Sequence, residues 1–232
     1  MKAIIFYLFL NALVGPAFSQ RVIEKRLPYS PNQVVDLHLK FGDSIQVRYW
    51  DKAEILVHIT VTINSGRLND ALLVETASTS QAVSLKTDFD QERIKQGKAE
   101  DCPGHQGSWN TTQNGTHYSV CSDINYRVYL PRRAKLNVET INGNIDIDGA
   151  SEAVSAKTIS GYVDMNWPKA KGATLAMKTI TGEVYSDLSI DFKGKNEKHP
   201  TVGYLLEGTL NGGGPTVRLE SISNNVYLRR QP

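Results

Sequence analysis

"VETINGNIDI", residues 138–147, decides the fold, because the chain writes close versions of it three more times. They are "AKTISGYVDM" from Ala156, "MKTITGEVYS" from Met177 and "LESISNNVYL" from Leu219. Aligned on the Thr/Ser-Ile pair, Leu136, Val154, Leu175 and Val217 stand four residues before it, and Val138, Ala156, Met177 and Leu219 two before. The residues between are polar, among them Asn137, Glu139, Ser155, Lys157, Arg218 and Glu220. A period of two marks a strand with one buried face. Past the pair the alternation resumes with Ile145 and Ile147, Val163 and Met165, Val184, and Val226 and Leu228. Each copy therefore reads as strand, tight corner, strand.

Gly143, Gly161 and Gly182 follow each isoleucine by two residues, where the chain must turn, and a positive φ is expected there. The fourth copy has Asn224, the side chain that best tolerates that conformation after glycine. Thr209–Gly212 reads as a further, degenerate corner. From Gly143 to Gly161 is 18 residues and from Gly161 to Gly182 is 21, spacings that imply a β-solenoid or β-roll with equivalent strands stacked in parallel. Upstream, "VDLHLKFGDSIQVRYW" and "EILVHITVTIN" alternate as well, while "DQERIKQGKAE" offers a helical turn or two. The predicted class is all-β. Residues 20–123 form a less regular β part, 124–232 the repeat part, and the two are expected to make one continuous fold.

Residues 1–19 read as a signal peptide. Lys2 is followed by the apolar run Ala3–Val14 and by Ala17-Phe18-Ser19, which places the mature start at Gln20. The run is shorter than the ~20 residues of a membrane span, and no later segment approaches that length. Gln20 in place of cysteine gives no lipoprotein anchor. Export to the periplasm, cell surface or medium, as a soluble protein, is the expectation. Of 26 basic residues, loss of Lys2 leaves 25 against 24 acidic, too balanced for a nucleic-acid partner.

Together, "GDSIQVRYWDKAEILV", the entry "YRVYLPRRAKLNVETINGNIDI", the repeated T-I-x-G corners and the terminal "LNGGGPTVRLESISNNVYL" resemble the bacterial putative-adhesin family. The resemblance covers most of the mature chain. It implies a β-solenoid or β-roll envelope protein and supplies no catalytic residues to carry over.

Cys102 and Cys121, in an exported chain, read first as a disulfide. Cys102-x-x-His105 and His117-x-x-x-Cys121 also approach zinc-ligand spacing, so a metal site is the alternative, with free thiols the third reading. Asn110 and Asn114 match glycosylation acceptors but read as loop polarity. Asp146 and Asp164 hold equivalent outward positions, where a carboxylate pair would suit calcium or acid–base work, though a solvated ladder is plainer. Tyr185 and Tyr227 occupy that same outward position in later copies, with Tyr162 and Trp167 near them. These four are the candidate binding residues, for sugar rings or a protein partner, unless the N-terminal strands or a loop cover them. No G-x-S-x-G, H-E-x-x-H or phosphate loop is present. The expectation is a non-enzymatic, adhesin-like binding or scaffold module that needs no cofactor or metal and has an envelope protein or glycan as partner. A carbohydrate-active enzyme and an envelope-stress accessory protein are the alternatives.

Overall fold

The computed structural model describes residues 20–104, 109–113, 116–193, 203 and 205–231, with the backbone alone at 109–113 and 116. The leader, His105, Asn114, the Asn110 side chain and most of the 193–203 insert lie outside the described residues.

Strands β1 (Arg21–Pro28), β2 (Val34–Leu39), β3 (Phe41–Trp50), β4 (Glu54–Ile63), β5 (Leu72–Ser78) and β6 (Ala82–Phe89) precede a single helical turn, α1 (Gln91–Ile94). Asp90 starts that turn by accepting from the backbone N–H of Glu92 and Arg93, which is why the polar 90–101 stretch curls there. β7 (Trp109–Gln113) and β8 (Thr116–Val120) make a separate hairpin, and β9 (Ser122–Pro131) leads into β10 (Lys135–Asp148). The rest is β11 (Val154–Ser160), β12 (Val163–Trp167), β13 (Ala173–Lys178), β14 (Val184–Ser186), β15 (Asp191–Phe192), β16 (Leu205–Leu210), β17 (Thr216–Ser221) and β18 (Val226–Arg230). All except β7 and β8 join one 16-stranded sheet, so the chain is all-β.

β10 runs through its corner and belongs to two ladders. Its first half lies between β2 and β11, and this first ladder continues in parallel through β17 to β13 and then antiparallel to β16 and β15. Its second half lies between β3 and β12, and this second ladder continues in parallel to β18 and β14. At the other end β9, β4 and β1 extend the second ladder, while β6 and β5 extend the first. The inward residues read from the sequence (Leu136 and Val138, Ile145 and Ile147, Val163 and Met165) are buried in one cluster with Val35, Leu37, Ile45 and Val47. Across it the Tyr126 hydroxyl of β9 lies 3.1 Å from Thr87 of β6, and burial pushes that phenol's pKa up.

Three expectations change. The copies lie side by side in register, but their order is first, second, fourth, third: β17 separates β11 from β13, and β18 separates β12 from β14. Asn211–Gly214 is the cause. It is not a corner but a reversal, with φ of 45°, 81°, 99° and 159° in succession, carrying the chain from β16 on one flank of β13 to β17 on the other. Second, of the corner residues only Gly143 has a positive φ, at 109°; Gly161, Gly182 and Asn224 do not. What demands glycine at 161 and 182 is contact. A Cβ on Gly161 would lie 2.0 Å from the Gly143 oxygen, and one on Gly182 would lie 2.2 Å from the Asn224 oxygen. Third, Trp167 is 0% exposed, because it continues the inward parity of Val163 and Met165, and its Nε1 donates to the Lys171 carbonyl at 3.1 Å.

The corners also explain the Thr/Ser before the isoleucine in three of the four phrases. Thr158 donates to the Gly143 carbonyl at 3.0 Å, Ser221 to Gly161 at 2.7 Å and Thr179 to Asn224 at 2.6 Å. Each hydroxyl ties its corner to the neighbour beneath, satisfying a carbonyl that the turn takes out of the ladder.

Candidate functional site: the aromatic edge of the second ladder

Strand pairing sets the outward row of the second ladder: His58, Arg127, Gln46, Asp146, Asp164, Tyr227 and Tyr185, one from each of β4, β9, β3, β10, β12, β18 and β14. At ~4.8 Å per strand this row is about 29 Å long. Tyr227 and Tyr185 stack with ring centroids 5.3 Å apart and planes 12° from parallel. Tyr162, one row away, meets Tyr227 edge-on at 6.2 Å. Arg229 closes over the Tyr227 ring at 4.7 Å while its Nε donates to both Asp164 oxygens at 2.9 Å. That hydrogen bond, and then the carboxylate charge, hold the guanidinium pKa above its ordinary value.

This packing distinguishes the tyrosines. Tyr162 and Tyr227 are half-buried, and Tyr227 has one neighbour or another on each side. Tyr185 is 46% exposed and stands on β14, which pairs only with β18 among the described residues. Its hydroxyl donates to Glu183, and that bond raises the phenol pKa. The N-terminal strands do not cover this edge; they extend the opposite end of the ladder. Of the four expected binding residues, the structure brings together Tyr162, Tyr185 and Tyr227 and removes Trp167 to the core. Where the strands end along the same edge, Lys169, Asp187, Asn211 and Arg230 border a cleft of about 250 Å³.

Asp146 and Asp164 are register neighbours, but neither is a lone carboxylate. Asp146 is ion-paired with Arg48 and Asp164 with Arg229, so two guanidinium charges already balance the pair. Among the described residues no three His, Cys, Asp or Glu side chains form a metal-ligand group. Cys102 and Cys121 are joined as a disulfide with Cα atoms 5.8 Å apart. His117 beside them is exposed. The bridge packs on a buried polar knot, in which Asn64 accepts from Cys121 N at 3.1 Å and donates to Ser119 O at 2.9 Å.

The sequence reading missed the arginines that neutralise the aspartates, since Arg48 and Asp146 are 98 positions apart. It also missed a fifth corner at Leu39–Gly42, whose glycine lies under Gly143: a Cβ there would come within 1.9 Å of the Gly42 oxygen. The signal was present in Gly42 interrupting two alternating runs.

No family model matches the chain, and no curated protein matches it. Among solved structures the chain is similar to a putative cell adhesion protein from Clostridium sporogenes, with a TM-score of 0.51 and 10% identity over 92% of this chain and 100% of that one. The two chains share a fold. A putative adhesin from Bacteroides fragilis is 10% identical over 93% of this chain and 100% of its own, with a TM-score of 0.26, too low to carry an argument.

Proposed function

We propose that the protein is an exported bacterial envelope protein without catalytic activity that serves as an adhesin-like binding module, taking a glycan or a protein of the envelope at the aromatic edge. The observation that carries this reading is the exposed ring of Tyr185 at the end of a tyrosine stack, on a strand that pairs on one side only among the described residues. A rigid sheet loses little ordering entropy on docking, and an aromatic face suits the C–H face of a sugar or an apolar side chain. The shared fold with a putative cell adhesion protein supports the same direction. Export to the periplasm or the cell surface rests on the 1–19 leader and agrees with the disulfide. We take residues 20–231 as one continuous unit, a β-roll-like variant of the expected coil.

The alternative of a glycan-cleaving enzyme asks Asp146 and Asp164 to act as acid and base, and their arginine pairs argue against it. A glycan array combined with reducing-end assays on a polysaccharide panel tests the reading. Retention of a ligand without chain cleavage is expected. Turnover that disappears on Asp146→Asn or Asp164→Asn would overturn it.

A further inference from the structure

The outward face of the first ladder has no part in that reading, and it carries a pattern of its own. The isoleucines of the four phrases stand side by side along the corners in the order Ile141, Ile159, Ile222, Ile180. Each is 36% to 40% exposed. One exposed isoleucine is ordinary; an unbroken row of four at ~4.8 Å spacing is a contiguous apolar ridge. Two residues back along the same strands the row is Glu139, Lys157, Glu220 and Lys178, alternating in sign, with Glu220 also ion-paired to Arg218 of its own strand.

Both rows are complementary to their own reversal. Reading the charges backwards turns Glu-Lys-Glu-Lys into Lys-Glu-Lys-Glu, and the isoleucines are unchanged. The midpoint of both rows is the same line, between β11 and β17. A surface that is its own complement about one axis is what an isologous dimer requires. We infer that a second copy of this chain docks on this face, about a two-fold axis lying in the interface parallel to the strands. Ile141 then faces the partner's Ile180, Ile159 faces the partner's Ile222, Glu139 faces the partner's Lys178, and Lys157 faces the partner's Glu220.

One strand further out the shapes agree as well. Leu205 is 38% exposed and lies beside Lys178 in register. The same axis brings it over the groove of about 220 Å³ that His38, Lys40, Ile141 and Ile159 line on the other copy. The face from β2 to β16 spans about 24 Å by ~15 Å, roughly 400 Å² a side and about half of a standard stable interface, so the association is reversible. It lies on the other ladder from the tyrosines, and its failure leaves ligand binding at Tyr185 to stand or fall separately.

Sedimentation equilibrium of the disulfide-bonded chain over a concentration series reads the association directly, with reversible dimerisation expected. Ile159→Thr with Ile222→Thr keeps β-branched residues on the strands and is expected to weaken the dimer at least tenfold while the melting temperature holds. The axis is tested by mixing an Ile141→Cys chain with an Ile180→Cys chain. The mixture is expected to give a cross-linked heterodimer, and either chain alone far less, because the like positions sit about three strands apart. A monomer at every concentration, a Thr variant that associates like the parent, or cross-linking no better in the mixture than alone would each overturn the proposal.

Discussion

Gly161→Ala separates two explanations of the corners. A Cβ at Gly161 would meet the Gly143 oxygen at 2.0 Å, its carbonyl carbon at 2.5 Å and Asn144 N at 3.2 Å. Ordinary van der Waals contact begins at 3.4 Å, so the second corner must lift from the first by over 1 Å. That displacement breaks the 3.0 Å hydrogen bond from Thr158 to Gly143 O. Overpacking costs about 1–3 kcal/mol, and a buried polar group left without its partner about 1–3 more, for a loss of ~2–6 kcal/mol. In a chain of this size that lowers the melting temperature by roughly 4–24 °C. Gly212 is the control. It has φ 81° and nothing within 4 Å of a Cβ, so Gly212→Ala costs only the left-handed conformation, about 1–2 kcal/mol. Asparagine distinguishes the two causes, because it tolerates positive φ and still carries a Cβ. Gly212→Asn should recover most of the loss and Gly161→Asn none of it, read by thermal and denaturant unfolding. A mild Gly161→Asn, or a Gly161→Ala milder than Gly212→Ala, would refute the contact explanation.

Three further outcomes follow from the same packing. Thr158→Val keeps the shape but strands the Gly143 carbonyl, and should cost about 1–3 kcal/mol in chemical denaturation. Truncation before Pro215 removes β17 and β18 from the middle of both ladders; it should abolish cooperative unfolding altogether, whereas the loss of a terminal repeat would only shorten the transition. Because the Glu183 hydrogen bond raises the Tyr185 phenol above its ordinary 10.0, the contribution of this bond is present below pH 10 and is lost as pH climbs through the raised value. Glu183→Gln should move the NMR titration of Tyr185 down toward 10.0.

Much of the architecture was legible because alternation fixes parity. Once Val138 points inward, Thr140 must as well and Ile141 must point out, which is what the buried hydroxyls and the exposed ridge display. The same parity, carried two residues past Met165, already placed Trp167 in the core. The order of the copies was not legible. Phrases alike at every inward position can stack in any sequence, and the choice is made by the antiparallel β16 and the Asn211–Gly214 reversal. Nor does any spacing join Arg48 to Asp146, or Arg229 to Asp164; those pairs exist because distant strands become diagonal neighbours. The disulfide was readable from compartment and count, whereas Asn64 closing the polar knot beneath it was not.

The central claim is that the tyrosine edge recognises an envelope component, and the most direct measurement pairs Tyr185→Ala, Tyr227→Ala with the parent chain in a binding assay on intact envelope material. The Tyr185–Tyr227 stack is worth about 0.5–1.5 kcal/mol beyond area burial, so the double variant should be destabilised but remain folded, while retention falls at least tenfold. Retention equal to the parent's, in a double variant that remains folded, would contradict the claim.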